Sequence, residues 1–143
     1  MKAQRLIVRG IRQIEVEDFE LGTLPDSAIL VQNQYTAVSI GTELWGWMHG
    51  ASPGQEARFP RQTGYSSTGV VLEVGKNVTG IKPGDRIAGR SNHASHCICD
   101  SGYKGLYHLV PEGVPAKSAT FLNMCAIAMH GIRVAQVELG EAV

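Results

Sequence analysis

The stretch Gly64-Tyr65-Ser66-Ser67-Thr68-Gly69-Val70-Val71-Leu72-Glu73-Val74-Gly75-Lys76-Asn77-Val78-Thr79-Gly80-Ile81-Lys82-Pro83-Gly84-Asp85-Arg86-Ile87-Ala88-Gly89 decides the fold. Thr68 to Val74 is rich in β-branched residues, which suit a pleated, half-buried strand. Lys82-Pro83-Gly84-Asp85 has the chemistry of a type II turn: proline presets φ at the second position and glycine supplies a positive φ at the third. Arg86 to Ala88 then returns as the second strand of a hairpin.

Outward from this hairpin the chain reads as short strands separated by turn residues. Ala3 to Val8 and Arg12 to Val16 predict a first hairpin around Arg9-Gly10-Ile11. Leu24-Pro25-Asp26-Ser27 is a turn, and Ala28 to Val38 a long strand with Ile29, Val31, Asn33, Tyr35 and Ala37 on one face. Which face points outward stays open. Thr42 to Met48 predicts one or two helical turns, and Ala51 to Thr63, with Pro53, Gly54 and Pro60, a loop of the length that often forms a lid. Ser91 to Asp100 and Leu106 to Val110 predict two more strands around a turn at Ser101 to Gly105. From Pro115 to about Val137 the period changes to that of a helix, with Gly140 past its end. Residues 119 to 132 are apolar nearly all round, which predicts burial on more than one side, against something beyond this domain. There is no internal repeat and no low-complexity tract.

Composition narrows the function. A chain of 143 residues supports one domain with a core. Thirteen basic and thirteen acidic side chains cancel, without a charge run, which argues against nucleic acid or a membrane surface as partner and for a small molecule or another protein domain. Three cysteines, Cys97, Cys99 and Cys125, form no disulfide framework, and Met1-Lys2 opens no apolar signal segment, so a cytoplasmic location is expected. His93-x-x-His96-Cys97-x-Cys99 gathers four soft ligands. On a continuous strand His93, Cys97 and Cys99 share one face and His96 takes the other, so one ion could not hold all four without a bend. Strand cysteines and surface histidines are the simpler account. Cys125 and His130 suit packing on the helix.

The pattern Gly-x-x-x-x-Gly-Val-Val-x-x-Val-Gly-x-x-Val-x-Gly-x-x-x-Gly-Asp-Arg-Ile, with Gly41-Thr42-Glu43 upstream and Ala119 to Gly140 downstream, resembles the N-terminal, chaperonin-10-like (GroES-like) domain of the medium-chain alcohol dehydrogenase and quinone reductase superfamily. The resemblance spans nearly the whole chain. It implies a mainly β fold, a partly open antiparallel barrel with one short helix and one longer C-terminal helix. It also implies that residues 1–143 are a catalytic, substrate-binding domain, with a nucleotide-binding domain expected after Val143, since no Gly-x-Gly-x-x-Gly fingerprint occurs within the chain.

The resemblance also locates the chemistry. Where zinc-dependent members hold a catalytic metal, this sequence has Ile40, Tyr65, Ser66 and, at or near the last ligand, Asn123; none is a good zinc ligand. The family position whose hydroxyl begins a proton relay falls on Thr42, and the relay histidine on Trp45. The expected catalytic residues are therefore Thr42 and Tyr65, and the substrate-binding residues Ile40, Trp45, Ser66 and Asn123. A hydroxyl can polarise or protonate an oxygen on which charge develops without a metal. Tyr65 could equally fill the space left by zinc, and Trp45 and Trp47 could pack rather than wall a pocket. Ser39-x-Gly41-Thr42-Glu43 with Gly64-Tyr65 is also similar to a narrower, metal-less branch that includes bacteriochlorophyllide dehydrogenase-like proteins. Taken together, the resemblance implies the substrate-binding domain of a zinc-independent oxidoreductase that uses NAD or NADP and acts on a carbonyl, alcohol or activated alkene. Such a protein is expected to be homo-oligomeric when full length and inactive as residues 1–143 alone. The rival expectations are a free-standing GroES-like assembly module and a small metal-binding protein built on His93 to Cys99.

Overall fold

A computed structural model describes residues 1–51, 54–100, 107–136, 138, 140 and 141. The predicted turn at Ser101 to Gly105, Leu106 and Val137 lie outside the described residues. The first hairpin pairs β1 (Lys2–Gly10) with β2 (Gln13–Glu20), longer than its apolar alternation suggested. The long strand is β3 (Ala28–Thr36), followed by α1 (Thr42–His49). The loop expected from Ala51 to Thr63 contains a short strand, β4 (Arg61–Gln62), which pairs with Ile7 and Val8 of β1.

The central hairpin is β5 (Ser67–Val74) and β6 (Arg86–Gly89). Its turn has the predicted form: the Asp85 N–H donates to the Lys82 carbonyl at 3.1 Å and Gly84 sits at φ +89°. Two strands follow, β7 (His96–Asp100) and β8 (Tyr107–Leu109), and then α2 (Ala116–Ala119) and α3 (Leu122–Ala135). All pairing is antiparallel. One sheet runs β2-β1-β4 and the other β7-β3-β5-β6-β8. They meet through an Arg5–Ala94 bridge and the Leu6 N–H to His93 carbonyl bond at 2.8 Å, so the barrel is partly open, as expected. Ile29, Val31, Val71 and Ile87 form the buried core between the strands, which settles the inner face of β3.

Two expectations are corrected. The continuous helix from Pro115 is broken at Thr120–Phe121, because the Thr120 carbonyl accepts a hydrogen bond from the Ser66 hydroxyl while the Thr120 hydroxyl bonds Thr68 at 3.0 Å and the Ala116 carbonyl at 2.9 Å. A carbonyl held by a side chain from outside the helix is bent out of the helical ladder. Within this domain α3 is left uncovered: none of its residues is buried, and Ile127, Met129, Ile132 and Val134 are exposed. The strand predicted from Ser91 begins only at His96, so alternation says nothing about where His93 points. No described helix is long and apolar enough to cross a membrane.

Candidate functional site

The loop between β3 and α1 and the first turns of α1 carry Ile40, Thr42 and Trp45 of the expected site. Glu43 organises them. Its Oε2 accepts the Ser39 N–H at 2.7 Å, reaching back across the start of α1. Its Oε1 accepts the Thr63 hydroxyl at 2.7 Å and faces His93 Nε2 at 2.8 Å. The other ring nitrogen of His93 lies 2.7 Å from the Thr36 hydroxyl. An imidazole carrying its proton on Nε2 satisfies both contacts. Burial works to raise the Glu43 carboxyl, but the Ser39 N–H, the Thr63 hydroxyl and His93 together outweigh it and hold the group below the ordinary carboxylate range.

His93 is only 5% exposed, which corrects its reading as a surface histidine. Gly64, at φ +102°, makes this packing possible, since a Cβ there would collide with the His93 backbone. His93 is thereby turned toward Glu43, and His96 bonds the Ser95 hydroxyl at 3.1 Å. Cys97 and Cys99 sit side by side with sulfurs 3.4 Å apart, against the core. The Cys99 thiol draws the Cys97 pKa down, and Cys99 itself is pushed up by Cys97 and by burial. The four side chains of the rival metal reading are thus divided, and no group of three or more metal-ligating side chains occurs among the described residues.

Thr42 and Trp45 line a cleft of about 550 Å³ between α1 and residues 50–51 and 55–61. Trp45 stacks on His49 with ring centroids 4.2 Å apart and donates Nε1–H to the Ala51 carbonyl at 3.3 Å, so it is a wall of the cleft. Trp47 instead helps line a separate, largely apolar cavity of about 190 Å³ against β1 and Ile14. Tyr65 is half-buried and does not line the Thr42 cleft. The side-chain hydroxyls of Thr42 and Tyr65 have no hydrogen-bond partner among the described residues. Ile40 is 78% exposed.

Ser66 and Asn123 come together elsewhere. Asn123 Nδ2 donates to the Tyr65 carbonyl at 2.7 Å and the Gly89 carbonyl at 3.2 Å, and Ser66, buried, donates to the Thr120 carbonyl. These bonds staple α3 to the start of β5 and the end of β6. Ile40, Tyr65, Ser66 and Asn123, which the resemblance sets at or near the zinc-ligand positions, thus carry an alkyl group, a phenol, a hydroxyl already donated and an amide already donated, and none is a thiolate, imidazole or carboxylate of the kind zinc prefers. Reading the sequence alone missed the contact between Glu43 and His93, because nothing local marks a partner fifty residues away.

Residues 25–136 match the alcohol dehydrogenase GroES-like domain family, and the chain belongs to it. The protein named "Probable D-xylulose reductase A" in Aspergillus clavatus is 26% identical over 167 aligned positions, covering 96% of this chain and 46% of that protein. Among solved structures, an Escherichia coli oxidoreductase/dehydrogenase of unknown specificity superposes with a TM-score of 0.83 at 17% identity, over 99% of this chain and 49% of its own. A Sinorhizobium meliloti protein described as a "putative zinc-binding dehydrogenase" and solved with NADP gives 0.75 at 16% identity, over 94% of this chain and 46% of its own. The chain spans about half the length of the relatives it matches.

Proposed function

We propose that the chain is the substrate-binding part of a zinc-independent, NAD- or NADP-dependent oxidoreductase acting on an alcohol and carbonyl pair or an activated alkene, completed by a nucleotide-binding domain. The observation that carries this is the pairing of family membership with a donor set of Ile40, Tyr65, Ser66 and Asn123, two of whose polar groups are consumed in stapling α3. The exposed apolar side chains of α3, Ile127, Ile132 and Val134 among them, supply a surface for such a domain. The nicotinamide would supply or accept the hydride. This chain's own contribution is to seat the substrate along α1, to place the free Thr42 or Tyr65 hydroxyl at the oxygen whose charge changes, and to exclude water around it.

Elemental analysis of the full-length protein, paired with turnover before and after dialysis against a strong zinc chelator, tests the reading. Turnover unchanged by the chelator, with substoichiometric zinc, is expected. One tightly bound zinc per chain whose removal abolishes turnover would overturn it.

A further inference from the structure

Three arginines in the chain are half-buried: Arg5, Arg61 and Arg86. Two are matched. Arg5 reaches Glu17 at 2.6 Å, and Arg86 donates to the carbonyls of Pro111 at 3.1 Å and Val114 at 3.0 Å. The Arg61 side chain has no acceptor among the described residues, and its Nε is fully buried and unpaired. Burying one guanidinium N–H without an acceptor costs free energy, so Arg61 is open to an anionic acceptor from outside the chain.

Arg61 lines the same cleft as Thr42 and Trp45. It is seated there by Gly46, for a Cβ at that position would stand 2.5 Å from Arg61 Nη2. Arg58 lines the cleft as well and has no ion pair or hydrogen bond to a described residue; Glu56 is the one carboxylate among the lining residues. The lining charge is thus two positive against one negative, with the deeper cation unmatched. At about 550 Å³ the cleft has the size of a small-molecule site.

We propose that this cleft binds an oxyanion, so that the substrate carries a phosphate ester or a carboxylate held by Arg61 and Arg58 while its reacting oxygen lies toward Thr42. This rests on the reading of the chain as the substrate-binding part of an oxidoreductase. The planar, forked guanidinium matches either anion in a two-bond geometry, which a point charge does not.

The test is a titration of this 143-residue chain with inorganic phosphate, acetate and glycerol, followed by NMR at the Gly46 amide and the Trp45 indole N–H. Saturable shifts with phosphate or acetate and none with glycerol are expected, and the tighter anion separates a phosphate ester from a carboxylate. Arg61→Gln should weaken anion binding about tenfold or more, as for loss of a charge-assisted hydrogen bond, with Arg61→Lys in between. Arg58→Gln, at an exposed position that leaves the fold intact, should weaken it severalfold, whereas Lys76→Gln, outside the cleft, should not. No saturable shift with either anion, an equal response to glycerol, or binding indifferent to both arginine substitutions would overturn the proposal. Hydride transfer by the full-length protein is scored separately. Anion binding without hydride transfer removes the proposed reaction and leaves the cleft; turnover of an anionic substrate with a KM unchanged by Arg61→Gln removes the cleft's role and leaves the reaction.

Discussion

His93 Nε2 lies 2.8 Å from Glu43 Oε1, a contact made across fifty residues of sequence that ties the chain entering β7 to the first turn of α1. Four donors converge on that one carboxylate and its ring partner: the Ser39 N–H, the Thr63 hydroxyl, the imidazole and the Thr36 hydroxyl. The loop that displays Ile40 and Thr42 is held between these bonds. The network is therefore the frame of the candidate site rather than a part of its chemistry.

Removing the carboxylate should cost stability. Glu43→Ala leaves buried donors on Thr63 and His93 without an acceptor, and such groups cost about 1–3 kcal/mol each. A loss of about 2–4 kcal/mol by urea denaturation is expected. A change below about 0.5 kcal/mol would show the network to be incidental.

Acid should act through the same residue. Because the folded Glu43 carboxyl is held below its ordinary value of 4.5, its contribution is full above that pH and is lost as pH falls through the folded value. Glu43→Gln should flatten the acid limb of a plot of thermal midpoint against pH. It should not abolish it, since Arg5 also lowers Glu17 and Lys82 lowers Asp85. An acid limb identical in wild type and Glu43→Gln would contradict the assignment.

Asn123 should behave as a staple. Asn123→Leu deprives the Tyr65 and Gly89 carbonyls of their shared donor, with an expected cost of about 1–3 kcal/mol and faster hydrogen exchange in α3. Wild-type exchange in α3 combined with a raised KM in the full-length enzyme would instead return Asn123 to the substrate.

The free hydroxyls carry the chemical expectation. Loss of a hydroxyl that protonates or polarises the substrate oxygen should lower kcat on the order of 10²-fold or more in the full-length enzyme. Thr42→Val and Tyr65→Phe preserve shape while deleting that group. Near-wild-type kcat in both would leave the cleft as a binding surface with no acid of its own. Thr42 already lines the cleft and Tyr65 does not, so the larger effect is expected at Thr42.

Local chemistry determined much of this protein. The Lys82-Pro83-Gly84-Asp85 turn, the central hairpin and the opening of a helix after Pro115 are all set by residue types a few positions apart. Tertiary structure alone decided the rest. It broke the C-terminal helix at Thr120, because the competing donor, Ser66, lies on another element fifty-four residues away. It buried His93 beside Glu43, where alternation along a supposed strand had set it with the cysteines. It brought Arg61 against Gly46 without an acceptor. Turns and periodicities are encoded within the reach of a few residues, whereas hydrogen-bond partners and counter-ions are chosen among groups that only folding brings within about 3 Å of one another.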